Sequence, residues 1–247
     1  MKISIITVCY NSDKTIERTL KSVESQIYSD IEYIVIDGAS TDRTNDIISS
    51  YSHIVDVHVS EKDHGLYDAM NKGIALATGD VIGILNSDDI FFNDTVIQRI
   101  SAELNNCDGV YGDVGFYADK DFQIKKRHYS SKGFSLDKFS RGMMPAHPSF
   151  YVKRALLLKA GEYNTDFKIA ADFDMLLRLY LLKNANYKYI PQELVKMLIG
   201  GVSTSGFHSN LLLNKEIIKS CHMNGVKSNW LYVLSKYPKK IMGLLFK

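Results

Sequence analysis

Four short polar stretches carry most of the residues in this chain that could do chemistry. They are Tyr10-Asn11, the run from Asp37 to Asp42, the run from Ser60 to Gly65, and Asn86-Ser87-Asp88-Asp89. Carboxylates and amides supply hydrogen-bond acceptors and hard oxygen ligands, and the last tetrapeptide suits Mg²⁺ or Mn²⁺ better than zinc. A second acidic site holds Asp172 and Asp174. Two residues apart, they cannot share one helix face, so one is expected in a cleft and the other at the positive end of the helix dipole. His147 lies in Pro145-Ala146-His147-Pro148, where the prolines fix the direction of the loop.

Each of the four stretches directly follows an apolar, β-branched run: 3–8, 31–37, 55–60 and 80–86. None of these runs has a clean period of two, as expected for strands buried on both faces. Between them lie helical patterns over 13–26, 42–50 and 66–77, with Thr41-Asp42 and Asn93-Asp94 as N-terminal signals. The alternation predicts right-handed βαβ units, a mostly parallel sheet and an α/β, Rossmann-like first half. In such a sheet ligands bind beyond the carboxyl ends of the strands, where all four polar stretches would converge. Beyond about residue 106 the rhythm changes. Antiparallel strands are expected over 109–118 and 122–130, helices over 153–160 and 172–183, and a strand near 187–190.

Composition and missing motifs narrow the function. Of 247 residues, 45% are hydrophobic and 23% charged, which excludes disordered and fibrous classes. No apolar run is long enough for a membrane span or shaped as a signal peptide. Three separated cysteines, Cys9, Cys107 and Cys221, argue against a disulfide framework and a zinc site, and fit a reducing cytoplasm. The last 31 residues hold six lysines and no acid, which leaves residues 1–216 at a net charge of −4. An acidic body with a basic end argues against nucleic-acid binding and predicts an amphipathic tail over 217–247 that meets an anionic membrane surface. No G-x-G-x-x-G, P-loop, H-E-x-x-H or G-x-S-x-G elbow occurs.

ISIITVCYN (3–11), IVIDGASTDRT (34–44), the long run 61–89 and AADFDMLLRL (170–179) together resemble glycosyltransferase family 2, inverting enzymes with the GT-A fold. The likeness runs from Lys2 to about Ser203 and is nearest to bacterial enzymes of O-antigen, capsule and exopolysaccharide assembly. It implies one catalytic domain over 1–216, with a nucleotide-sugar half (1–106), an acceptor half (107–216) and a helical tail. It implies a nucleotide-sugar donor, usually a UDP-sugar, a lipid-linked saccharide acceptor, a Mn²⁺ or Mg²⁺ cofactor, and a place on the inner face of the plasma membrane.

Carried over by resemblance, Asp37 matches the acid that meets the uracil ring, and Thr7, Tyr10 and Asn11 flank the nucleotide. Asp63, Asn71 and Lys72 would close over uridine, sugar and phosphate. Asn86 and Asp88 stand at the outer positions of the D-x-D motif, with Ser87 between them and Asp89 next to the donor sugar. Asn86 replaces the usual acid, so Asp88 carries most of the metal binding, with His208 as a further ligand from a loop that begins at Gly200. Asp172 matches the general base of a Glu-Asp pair whose Glu is here Ala171. His147 and Asp174 would face the acceptor. Two rivals remain open at this point: a catalytically decayed relative, favoured by Asn86 and Ala171, and a nucleotidyltransferase, opposed by the absence of a Gly- and Arg-rich loop after the first strand.

Overall fold

The computed structural model describes residues 1–199 and 206–236, with the side chains of 206–208 outside that description. Its first half alternates strand and helix: β1 (Ile3–Cys9), α1 (Ile16–Glu24), β2 (Ile31–Asp37), α2 (Thr44–Ser50), β3 (Val57–Ser60), α3 (Leu66–Leu76) and β4 (Val81–Ile84). The second half adds β5 (Ile90–Phe91), α4 (Val96–Leu104), β6 (Gly109–Tyr117), β7 (Lys125–Tyr129), β8 (Tyr151–Lys153), α5 (Arg154–Ala160), α6 (Ala171–Leu181), β9 (Tyr187–Leu198), α7 (Gly206–Met223) and α8 (Trp230–Leu234). All nine of these strands form one sheet in the order β3-β2-β1-β4-β8-β6-β9-β5, with β7 paired to β6.

β1 to β4 are parallel, as the alternation predicts. β8 runs antiparallel between β4 and β6 and so links the two halves without a break. Successive strand residues face opposite layers. Ile6, Val8, Ile34 and Ile36 pack beneath α3, α6 and α7, whereas Ile3, Ile5, Tyr33 and Val35 pack against α1, α2 and α4. Burial on both faces explains why β1, β2 and β4 show no period of two, whereas β3, at the edge of the sheet, departs from that expectation and alternates half-buried Val57 and Val59 with exposed His58 and Ser60. α3 lies close to β1 because Gly73 meets Ile6, where a Cβ would clash.

β9 is longer than expected, twelve residues instead of four, and pairs in parallel with β6 across a register shift beside Pro191. A proline cannot donate to the ladder and is tolerated where pairing is already irregular. The expected boundary after residue 216 falls inside α7, an 18-residue helix. Val233 of α8 is fully buried, and Lys236 donates to Asn214 at 3.0 Å, so the chain past the boundary packs on the body at least to 236. No described helix is long and apolar enough to cross a membrane.

Candidate active site

Register brings the ends of three parallel strands side by side: Cys9 pairs with Asp37, and Asp37 with Ser60. The loops beyond them are tied together. The Asn11 backbone N–H donates to Ser40 Oγ at 2.8 Å, and Asn11 Oδ1 accepts from the Thr41 N–H at 2.9 Å. Ser12 and Ser87 share a hydroxyl hydrogen bond of 3.1 Å, which joins the loops after β1 and β4. Asn11 and Ala39 both adopt left-handed backbone, with φ of 48° and 62°. For a non-glycine residue such a conformation costs roughly 1–2 kcal/mol and persists only where neighbours hold it, as the interlocked loops do here.

Asp37 is fully buried in this knot. It accepts from the Ser40 N–H (2.9 Å), Asn45 Nδ2 (3.0 Å), Ser60 Oγ (2.6 Å) and the Ser40 hydroxyl. Burial pushes its carboxyl upward, but these donors outweigh it and hold the group below the usual carboxylate range. Asp63 lies against Gly38, where an added Cβ would stand 2.5 Å from Asp63 Oδ2. Tyr10 is exposed at the rim. The structure thus brings Tyr10, Asn11, Asp37, Asp63 and Ser87 together in the loops at the carboxyl ends of β1 to β4, with Asp37 buried beneath them.

Three other residues from the same expected set are engaged elsewhere. Thr7 is fully buried in β1 and its hydroxyl pairs with the Tyr33 hydroxyl at 3.1 Å. Asn71 clamps the Tyr163 backbone, donating to its carbonyl at 2.9 Å and accepting from its N–H at 2.7 Å. Lys72 is ion-paired with Glu61 at 2.8 Å.

After β4, Asn86 Nδ2 donates to Asp89 Oδ2 at 3.1 Å, which leaves Asn86 Oδ1 buried without a hydrogen-bond partner among the described residues. Burial raises the carboxyl of Asp88. It raises Asp89 well above its usual value, with the adjacent Asp88 charge adding to the shift. The orphaned Asn86 amide oxygen and the Asp88 carboxylate are hard-oxygen donors of the kind a divalent cation takes, whereas Asp89 is buried behind them and paired with the Asn86 amide. No group of three or more His, Cys, Asp or Glu residues able to hold a metal occurs among the described residues, and the His208 side chain and the loop from Gly200 lie outside them.

Asp172 opens α6, where its Oδ1 accepts from the Phe173 N–H at 2.7 Å. The residue is half-buried. Withdrawal from water pushes its carboxyl up to about 6, and the Glu216 charge adds to this against the backbone donors. Tyr67 and Tyr163 stand beside it, both pushed up chiefly by burial and then by the Asp172 charge. Their rings stack at 5.9 Å, and Tyr67 donates to the Ile169 carbonyl at 2.6 Å. Tyr67 lies in the first turn of α3, directly after the crevice loop 61–65, so this wall and Asp172 stand at the same edge of the sheet.

His147 is buried, paired with the Tyr163 hydroxyl at 2.7 Å, and lowered by burial to about 4, so it is neutral near pH 7. Asp174 points away from Asp172. It is ion-paired with Arg178 at 2.8 Å and accepts from Ser220 Oγ at 2.7 Å and Asn224 at 3.0 Å. The two carboxylates therefore divide as their spacing requires, and Asp174 joins α6 to α7. Sequence reasoning missed Asn45 and Glu216. Glu216 was visible only as the last acid of the chain, and Asn45 gave no signal.

The family model for Glycosyl transferase family 2 matches residues 4–158. An uncharacterised glycosyltransferase of Mycobacterium tuberculosis is 38% identical over 183 residues, covering 73% of this chain and 69% of that protein. A PGL/p-HBAD biosynthesis glycosyltransferase of Mycobacterium bovis is 28% identical over 228 residues, covering 90% and 84%. Among solved structures, S. aureus TarS 1-349 in complex with UDP-GlcNAc superposes with a TM-score of 0.70 at 20% identity, covering 88% of this chain and 67% of that one. The chain spans 40% of the longer TarS structure. The mannosyltransferase PcManGT from Pyrobaculum calidifontis, in complex with GDP-Man and Mn²⁺, superposes with a TM-score of 0.61 at 15% identity, covering 98% and 80%. With its parallel strands, converging loops and matched motifs, the chain belongs to glycosyl transferase family 2 and has the GT-A fold.

Proposed function

We propose that the protein transfers a sugar from a UDP-sugar to a hydroxyl of a saccharide acceptor, with inversion at the anomeric carbon. The observation that carries this reading is Asp172, a carboxylate at the start of α6 that stands beside Tyr67 and Tyr163, accepts from the Phe173 N–H and is raised by burial to about 6. A general base works best with a pKa near the operating pH and contributes on the order of 10² to 10⁴ in rate. Asp172 takes the proton of the acceptor hydroxyl as the hydroxyl oxygen attacks the anomeric carbon from the face opposite the nucleotide. The bond from that carbon to the diphosphate oxygen breaks, and its electron pair leaves with the diphosphate. An α-linked donor gives a β-glycoside.

The nucleotide occupies the crevice of Tyr10, Asn11, Asp37 and Asp63. UDP is the favoured carrier because TarS has been solved with UDP-GlcNAc. Asp37, buried and held by Ser40, Asn45 and Ser60, must exchange one of these donors to accept from a base N–H. Asp88 and the Asn86 amide oxygen would hold Mn²⁺ or Mg²⁺, with Asp89 beside the donor sugar; His208, expected as a further ligand, has its side chain outside the described residues. A metal there supplies Lewis-acid stabilisation of the charge on the departing diphosphate. The PcManGT complex with Mn²⁺ supports that choice.

The acceptor is a lipid-linked saccharide of cell-surface polysaccharide or glycolipid assembly, met on the cytoplasmic side of the membrane. α8 supports this part of the reading: it turns Val233 inward and leaves Trp230, Leu231, Tyr232 and Leu234 outward at 39–79% exposure. Amphipathic faces of this kind enter the membrane interface, and each lysine near anionic lipid adds about 1 kcal/mol. Lys239, Lys240 and the apolar run 241–246 of the expected tail lie outside the described residues. The test is a panel of UDP-sugars offered with a lipid-pyrophosphate-linked monosaccharide and read by product mass. One donor should add one sugar mass, and no product from any donor would contradict the reading.

A further inference from the structure

We propose that Glu216 of α7 is the positioning residue for Asp172, an inference that rests on Asp172 being the base. α6 has no capping side chain of its own, since Ala170 occupies the N-cap. Glu216 instead anchors the segment that leads into the helix: Oε1 accepts from the Lys168 N–H at 2.9 Å, and Oε2 from those of Ile169 at 2.9 Å and Ala170 at 3.0 Å, backbone groups that need a partner where the chain turns inward. These are charge-assisted hydrogen bonds to a carboxylate that is 7% exposed, stronger than neutral ones and less screened than surface pairs.

They fix the three residues that lead into α6, and Asp172 follows two positions after the last of them. The same segment carries the Ile169 carbonyl that Tyr67 binds, so one carboxylate sets both the base and the aromatic wall beside it. The residue before Asp172 is Ala171, so the second negative charge near the base comes from α7 rather than from its own helix. The ionisable groups facing Asp172 are Glu216 from α7, Tyr67 from α3 and Tyr163 from the loop before α6, while Asp174 and Arg178 pair with each other and Asp174 turns to α7.

The experiment compares Glu216→Gln, Glu216→Asp and Ser220→Ala in the full chain, with Asp172→Asn alongside. An amide keeps the size of Glu216 but cannot accept all three N–H groups, and it removes the charge. Glu216→Gln should lower kcat about 10- to 100-fold, as expected for a displaced catalytic group. Its affinity for UDP should stay within about twofold, and the acid limb of kcat/KM should move to lower pH because a neighbouring negative charge is gone. Glu216→Asp keeps the charge but not the reach, and should lower kcat while the limb stays in place. Ser220→Ala loosens α7 at Asp174 and should lower thermal stability without moving the limb. Wild-type kcat and limb in Glu216→Gln, with Asp172→Asn inactive, would overturn the role of Glu216 alone. An equal shift of the limb in Ser220→Ala would also overturn it, by showing a general effect of α7 docking. Full turnover in Asp172→Asn would overturn the assignment of the base itself, and this inference with it.

Discussion

Asp172 owes its character to two opposing effects. The N-terminal end of a helix favours the ionised form, whereas withdrawal from water and the Glu216 charge disfavour it, and the second pair wins by enough to bring the group to about 6. A base must be ionised to accept a proton, so kcat/KM should fall about tenfold per pH unit below about pH 6 and be flat above it until another group titrates. A pH profile with its acid limb near 4 would mean that the base is an ordinary solvated carboxylate instead. Asn86 offers an amide oxygen without charge where an acid would offer both. Asn86→Asp should therefore tighten Mn²⁺ binding in a calorimetric titration of the full chain and lower the Mn²⁺ needed for half-maximal turnover. An unchanged Mn²⁺ affinity would remove Asn86 from the metal site. Tyr10, Asn11, Asp37, Asp63 and Ser87 stand together because each lies within a few residues of a strand end, a placement that sequence pattern reveals. Thr7, Asn71 and Lys72 lie in the same segments but serve internal pairs, with Tyr33, Tyr163 and Glu61. Those pairs join positions up to 92 apart in the chain, and no local pattern encodes them.

At the scale of elements, β1, β2 and β4 were legible as buried apolar runs, β3 as an edge strand whose half-buried valines alternate with exposed residues, and the helices between them by their apolar faces. β5 and β8, of two and three residues, were not, since so short a strand carries no period. α7 also escaped notice. Its inward residues include Asn214, Glu216 and Ser220, which blur the apolar stripe that marks a packed helix. Of these, Glu216 and Ser220 join α7 to α6 and the residues leading into it, and Asn214 joins α7 to Lys236. Asp174→Ala would leave Ser220 and Asn224 without their carboxylate and Arg178 with only the Ala160 and Glu162 carbonyls, and removing one partner of a buried ion pair costs at most about 3–5 kcal/mol. Chemical denaturation should show a loss of that order. A stability unchanged from wild type, with impaired acceptor KM, would instead place Asp174 at the acceptor.

At the scale of the whole molecule, one sheet carries both halves of the proposed chemistry: the proposed nucleotide site lies at the ends of β1 to β4, and Asp172, the proposed base, is on a helix that packs beneath the same strands. α8 presents its aromatic and aliphatic face outward from this body. Leu231→Glu with Leu234→Glu should reduce co-sedimentation with anionic vesicles while leaving the fold intact, because neither leucine is buried. High salt should weaken binding of the unmodified chain through its lysines. Equal sedimentation of both proteins at low salt would mean that this face does not meet the membrane.

The central claim is base-assisted sugar transfer at Asp172. It is tested most directly by single-turnover transfer from the accepted UDP-sugar, comparing the unmodified chain with Asp172→Asn at saturating donor and measuring UDP affinity of both by calorimetry. The account predicts a fall in the transfer rate of about 10² to 10⁴. UDP affinity should change by less than about twofold, since the base touches the acceptor and not the nucleotide. Transfer at the unmodified rate, or a loss of activity fully explained by lost UDP binding, would contradict it.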